Sequence, residues 1–223
     1  MYYRRSTDLG ETWEAPILIH TYKSAGMAIS FDHRKLAVEG DKVYIATSDY
    51  DYPDNGTGRV FFYESVNAGA NFAAGRVLSQ NEGGYRHFYN SLIKVKNGKI
   101  AIAYQGESSG VHNGTWFLFS SNGGTTFTDT QISEESDGLN DLYFDGEQAI
   151  VLHKYTFFNN GLHTGRVWVS TTTDGKTFTT NKISPKYTAS YGESERCLSR
   201  QFENYSAKIA KSGNNIIVVF EGN

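Results

Sequence analysis

Three carboxylate residues, Asp51, Glu107 and Glu203, fall in long segments between apolar runs. Two carboxyl groups flanking one glycosidic bond can split its hydrolysis between an acid and a base or nucleophile when they stand about 5–10 Å apart. Around them lie Arg34, Arg86, Arg196 and Arg200, whose planar guanidinium groups suit bidentate capture of a carboxylate. Asp49, His87, Tyr89 and Tyr205 complete the candidate ligand contacts, since an aromatic ring offers an apolar face with a polar tip. The densest local patch is Arg86-His87-Phe88-Tyr89, whose plainer reading is a strand start with its rings in the core. The richest segment is Lys186 to Tyr205, whose plainer reading is a solvated loop with surface ion pairs of small energetic value.

Other chemistries find little footing. Asp49, Asp51 and Asp54 do not follow the spacing of a calcium loop and read as turn residues. His33, His87, His112, His153 and His163 are scattered rather than paired at zinc-ligand spacing, and Cys197 is the single cysteine. No metal and no cofactor is expected. No Gly-x-Ser-x-Gly elbow, Walker loop or dinucleotide fingerprint occurs. The formal net charge is −3 with the signs interspersed, so no basic stripe offers itself to nucleic acid. No apolar run reaches bilayer-spanning length, and no secretory signal is visible, which makes the cytoplasm the default location. Asn55-Gly56-Thr57, Asn113-Gly114-Thr115 and Asn204-Tyr205-Ser206 match glycan sequons but read first as turn chemistry.

The elements that must carry these residues come in repeats. Four segments share a pattern, beginning at Ser6, Ser65, Ser120 and Thr171 and ending at Trp13, Phe72, Phe127 and Phe178. Each has Ser or Thr first, Asp or Asn near the third place, Gly fifth, Thr or Asn seventh and an aromatic eighth. Short hydroxyl and carboxylate side chains stabilise tight reversals by binding nearby backbone N–H groups, and the glycine supplies a positive φ. The terminal aromatic is expected to pack against its own repeat.

The flanks repeat as well. Apolar runs such as Val60-Phe61-Phe62-Tyr63 precede each turn, and short runs such as Gly75-Arg76-Val77-Leu78 follow. Upstream stand hairpins centred on Gly40, Asn97-Gly98, Asp145-Gly146 and Gly213-Asn214; Asn-Gly and Asp-Gly between apolar runs are strong hairpin signals. Tyr 15 and Phe 14 among 223 residues fit pleated surfaces. Each unit thus reads as four antiparallel strands, the blade of a β-propeller. The chain opens on third and fourth strands and closes on first and second, so the expectation is one all-β domain of four blades over 1–223. The terminal strands then share one blade. Such a ring is a monomer if it closes and a homo-oligomer otherwise.

The four turns resemble the Asp-box, or bacterial neuraminidase repeat, of the sialidase-like propellers. That resemblance implies a ligand face opposite the boxes, formed by loops entering the first strand and joining the second to the third. It implies a carbohydrate ligand and, for an enzyme, glycoside hydrolysis. The family's Arg-Ile-Pro motif is absent, since Pro16, Pro53 and Pro185 lie in other contexts. No catalytic role is therefore carried over to a particular residue. The alternative function is a non-catalytic interaction module, or a truncated propeller that completes itself by oligomerisation.

Overall fold

Alternating apolar residues and two-residue reversals produce a protein built of antiparallel sheets. The computed structural model describes residues 1–22, 35–50, 58–80, 86–108, 114–134, 138–159, 162–184, 189–190 and 207–220. No α-helix occurs among the described residues. The chain opens with β1 (Tyr2–Tyr3) paired to β2 (Ile17–Leu18). Next comes a four-stranded sheet of β3 (Leu36–Glu39), β4 (Lys42–Tyr50), β5 (Gly58–Ser65) and β6 (Arg76–Gln80), in that spatial order. A second follows with β7 (Arg86–Lys96), β8 (Lys99–Ser108), β9 (Gly114–Ser120) and β10 (Thr128–Ser133). The third has β11 (Gly138–Phe144), β12 (Ala149–Asn159), β13 (Leu162–Thr172) and β14 (Thr179–Lys182), with β15 (Ala189–Ser190) as a fifth strand on β13. β16 (Lys208–Ser212) and β17 (Asn215–Val219) end the array as a pair.

The hairpins fall at the expected glycines. Asn97 and Gly98, with φ of 54° and 68°, form a reversal with both central residues left-handed, which matches the twist of the strands it joins. β1–β2 and β16–β17 stand as separate two-stranded sheets, with no ladder between them among the described residues. The four strands expected to share one blade are therefore two halves here.

The repeated turns are held as their residue types suggest. Ser6 Oγ accepts hydrogen bonds from the N–H groups of Gly10 at 2.7 Å and Asp8 at 3.3 Å, and Asp8 Oδ1 accepts from Thr12 N–H at 2.9 Å. The Ser6 and Thr12 hydroxyls also donate to the Asp8 carboxylate, which lowers its pKa to about 2. Ser65 with Asn67 and Ser120 with Asn122 repeat the arrangement, receiving Gly69 and Gly124 N–H at 2.9 Å each. The fourth turn departs from the pattern. Its capping hydroxyl is Thr172, not Thr171, and Gly175 N–H reaches it across three residues instead of four. Asp174 Oδ1 then accepts from Lys176 and Thr177 N–H, both at 2.8 Å. In the longer turns two successive residues are left-handed, including Leu9 at 58° and Ala68 at 54°; the shorter turn needs only Gly175. Changing the buried Ser120 to alanine should cost about 1 kcal/mol, read from the chemical denaturation midpoint, because Gly124 N–H loses its buried acceptor.

The turn aromatics reach the preceding sheet as well as their own, Phe127 and Phe178 lying against cores to which both sheets contribute. Phe72 meets Tyr3 edge-on at 5.0 Å between ring centres, Phe127 meets Phe62 at 5.2 Å, and Phe178 meets Phe117 at 5.3 Å. In each pair the partner ring lies on the third strand of the preceding unit. The same neighbour fills the space over the fifth-place glycine. A Cβ on Gly69 would collide with the Tyr3 ring, one on Gly124 would press on Phe62, and one on Gly175 would collide with Phe119. The sequence alone could not tell own sheet from neighbour, because a single aromatic per turn fits either.

Side-chain and backbone ties secure these joints. Arg5 donates to the carbonyls of Asn67 and Ala68, Arg76 to those of Gly124 and Thr125, and Thr130 to that of Gly175. Above the turns lie three cores, each shared by neighbouring sheets. Tyr44, Phe62, Ile93, Ile102 and Leu118 join the first and second four-stranded sheets. Leu92, Ala103, Phe117, Leu142 and Val151 join the second and third. Ile150, Leu152 and Val169 meet Ile209 and Val218 of the last pair. Apolar burial between successive faces, at about 25 cal/mol per Å², is the main force holding the row together.

Candidate functional site

Because each turn follows a third strand, the opposite rim is made by the starts of first and third strands and the ends of second strands. Asp49, near the end of β4, lies on that rim. So do Arg86, His87 and Tyr89 at the start of β7, and Glu107 at the end of β8. The ladder sets His87 directly across from Glu107 and Arg86 across from Ser108, with a register shift between Tyr89 and Leu92. Sequence reasoning therefore placed these five residues on one rim of two adjacent sheets. Arg34, Asp51, Arg196, Arg200, Glu203 and Tyr205 lie outside the described residues.

Asp49 belongs to a buried polar cluster. His20, just beyond β2, places Nε2 3.0 Å from Asp49 Oδ2 and Nδ1 2.6 Å from the Tyr63 hydroxyl. His20 and Asp49 are each only 7% exposed. A carboxylate accepts, so a neutral imidazole in this setting donates from Nε2 and accepts at Nδ1 from the Tyr63 hydroxyl. The result is a relay Tyr63 to His20 to Asp49, with the imidazole fixed in one tautomer. Burial pushes the Tyr63 phenol up to about 12, and the neighbouring Tyr22 and Asp49 push the same way. It stays protonated at neutral pH and serves as a donor.

A second arm adjoins the relay. Tyr22 shares a hydrogen bond with Thr47 at 2.9 Å, and the Lys35 ammonium reaches the same hydroxyl at 3.4 Å. Lys35 and Thr47 are buried. The His20 ring packs edge-on to Tyr22 at 4.7 Å and tilted against Phe61 at 4.7 Å, so aromatic walls screen its hydrogen bonds from water. Such a nest of imidazole, carboxylate, ammonium and phenol groups can hold a proton between fixed partners and orient a polar ligand above it. Tyr63 also lines a cleft of about 460 Å³ between Ile17–Ile19 and Ala70–Gly75. Its ring packs so closely on Gly75 that a Cβ there would collide.

Of this cluster, sequence reasoning named Asp49 alone. His20, Tyr22, Lys35, Thr47 and Tyr63 come from four separate stretches, and no spacing rule joins them. A faint signal exists in β4, where apolar Val43 to Ala46 give way to Thr47-Ser48-Asp49 while the strand continues. Three consecutive polar residues near a strand end, all buried, must find partners elsewhere.

Two other buried polar groups are parts of the scaffold. Tyr104 donates to both Asp129 carboxylate oxygens, at 3.0 and 2.8 Å, and meets Ser79 at 2.8 Å. His153 on β12 is 1% exposed and meets Ser170 through Nε2 at 2.9 Å, while Nδ1 has no partner among the described residues. Burial pushes its imidazole down to about 4, so it is neutral in the folded protein at neutral pH.

No protein-family model and no curated protein matches the chain. Among solved structures it is similar to a protein of unknown function from Dyadobacter fermentans DSM 18053. That similarity has a TM-score of 0.54 and 14% identity, covering 82% of this chain and 52% of that one. A polysaccharide lyase, Uly1, aligns with a TM-score of 0.38 and 10% identity over 83% of this chain and 53% of that one. The chain thus spans about half the length of these two structures, and the first shares its fold.

Proposed function

We infer that the sheets are blades of a sialidase-like propeller and that the rim opposite the Asp-box turns binds a carbohydrate. The observation that carries this reading is the buried relay of His20, Asp49 and Tyr63, with Asp49 near the end of β4 on the same rim as the start of β7 and the end of β8, where Arg86, His87 and Glu107 stand. Capped turns with the Asp-box hydrogen bonds support the blade assignment. Sugars suit such a rim because they offer hydroxyls to orient and apolar ring faces to stack, and acidic sugars add a carboxylate for arginine. In this reading Asp49 and its partners fix the rim's geometry, and Arg86, together with Arg34, Arg196 and Arg200, supplies charge. Asp51, Glu107 and Glu203 are the carboxylates from which a hydrolytic pair would be drawn.

The test is calorimetric titration with neutral and uronate-containing oligosaccharides, alongside an assay for new reducing ends. Arg86→Ala should weaken binding of the acidic saccharide at least about tenfold, a loss of 1.4 kcal/mol, and leave neutral saccharides less affected. Asp49→Asn should weaken both, since it releases the imidazole that positions the rim. Absence of heat with every saccharide, or identical affinities in both variants, would sink the reading.

A further inference from the structure

The hairpins that join first to second strands are tied to one another in series. Glu39, at the end of β3, accepts the N–H groups of Asn97 at 2.6 Å and Gly98 at 2.7 Å on its two carboxylate oxygens. Lys99 donates to the Gly146 carbonyl at 2.8 Å, and Lys211 pairs with Asp145 at 2.7 Å. Of these three links, the first alone takes hold of two successive backbone N–H groups. Asn97 and Gly98 are both left-handed, and successive N–H groups in a turn form a nest for an anion. Here the anion belongs to the neighbouring sheet.

The same dipeptide carries a reaction of its own. In an Asn-Gly step the glycine nitrogen can attack Cγ of the asparagine side chain. The new N–Cγ bond closes a five-membered imide and the side-chain nitrogen leaves as ammonia. Water then opens the imide to aspartate or isoaspartate. Glycine permits the closure because no side chain crowds its nitrogen, and asparagine counts among the thermolabile residues. The attacking nitrogen has to give up its proton. At Gly98 that N–H is one of the two bound to Glu39. A nearby negative charge disfavours a second one, and a charge-assisted hydrogen bond holds the proton where it is.

A second Asn-Gly step, Asn122–Gly123, supplies the contrast. Asn122 Oδ1 accepts from the Ser120 hydroxyl at 2.9 Å and from Thr126 N–H at 3.0 Å, and Nδ2 donates to Thr126 Oγ1 at 2.9 Å. Its amide is therefore fixed inside its own turn, and Gly123 N–H is bound to the Gly98 carbonyl at 2.9 Å. Asn97 is exposed, and its side-chain amide, resting over Gly146, has no hydrogen bond among the described residues. At Asn122 both reacting groups are restrained. At Asn97 the restraint falls on the nitrogen alone, through Glu39.

We propose that Asn97–Gly98 is a latent self-modification site, kept intact by the Glu39 carboxylate, and that its conversion unlocks the tie between the first and second four-stranded sheets. Aspartate at 97 sets a second carboxylate beside Glu39, where like charges repel. Isoaspartate adds a methylene to the backbone path and draws the two N–H groups apart. Either product loses the bidentate contact. The change consumes only water and releases ammonia, so it runs one way. It does not depend on any ligand at the opposite rim.

Incubation at mildly alkaline pH, followed by fragment mass spectra and isoaspartyl methyltransferase labelling, reads the two Asn-Gly steps separately. Glu39→Ala should convert Asn97 at least about tenfold faster than the unaltered chain, the effect of about one charge-assisted hydrogen bond. Asn122 should stay intact in both. Should Glu39→Ala open the whole chain, Asn122 would react as well, and Glu39→Gln, which keeps an acceptor and loses the charge, then carries the same test. Equal rates at Asn97 with and without the Glu39 charge, in a folded chain, would overturn the guarding role. Asn97→Asp imitates one product, and Asp-Gly suits the same turn. Its denaturation midpoint should fall, and adding Glu39→Gln should recover part of that fall. A loss as large in the Glu39→Gln background would overturn the unlocking.

Discussion

Gly175→Ala should lower stability by about 3 kcal/mol, against about 1 kcal/mol for Gly10→Ala, when both are measured by chemical denaturation. The two glycines each donate their N–H to the capping hydroxyl of the turn, and both have positive φ, 72° and 94°. A side chain there carries a left-handed penalty of about 1 kcal/mol in either case. What separates them is the neighbour. At Gly175 the new methyl would strike the Phe119 ring, which is stacked on Phe117 at 6.3 Å and edge-on to Phe144 at 6.2 Å. That ring has little room to retreat, so overpacking adds about 2 kcal/mol. At Gly10 the methyl enters open space. Equal losses at the two sites would mean that the turn glycines serve backbone conformation alone.

Acid should weaken the fold through His153, by about 3 kcal/mol between pH 7 and pH 4. The imidazole is held near 4 in the folded protein by burial, whereas in the unfolded chain it has its ordinary value of about 6.5. Between those values the unfolded chain binds a proton that the folded one does not. Stability is therefore full above about 6.5 and is lost as the pH falls towards the folded value. His153→Leu removes this titration while Ser170 keeps its hydrogen bond to Thr180 at 2.7 Å. Denaturation free energies of the two proteins should diverge at pH 7 and pH 4 by the stated amount. Carboxylates such as Asp8 weaken in acid as well, but they do so in both proteins, so the difference isolates the histidine. Parallel pH profiles would show that protonation of His153 is not resisted.

The strands were legible because their signals are local. Gly40, Asn97-Gly98, Asp145-Gly146 and Gly213 each mark a reversal where the structure has one. The turns were legible as turns for the same reason, except that the fourth is one residue shorter than its alignment suggested. A run of three threonines, Thr171 to Thr173, offers more than one capping hydroxyl, and only the backbone path selects Thr172. The rim position of Asp49, Arg86, His87, Tyr89 and Glu107 followed from strand order. The relay did not, because His20 and Tyr63 reach Asp49 from a different unit and a different strand. Which sheet a turn aromatic would join was likewise hidden, since that depends on how one unit leans on the next.

The covering of each turn by the unit before it makes the array additive. Every sheet is specified by what lies immediately beside it, so inserting or deleting a whole repeat leaves the remaining seams in register. A faulty residue at one seam loosens that seam and its two flanking faces, while the rest keep their own cores.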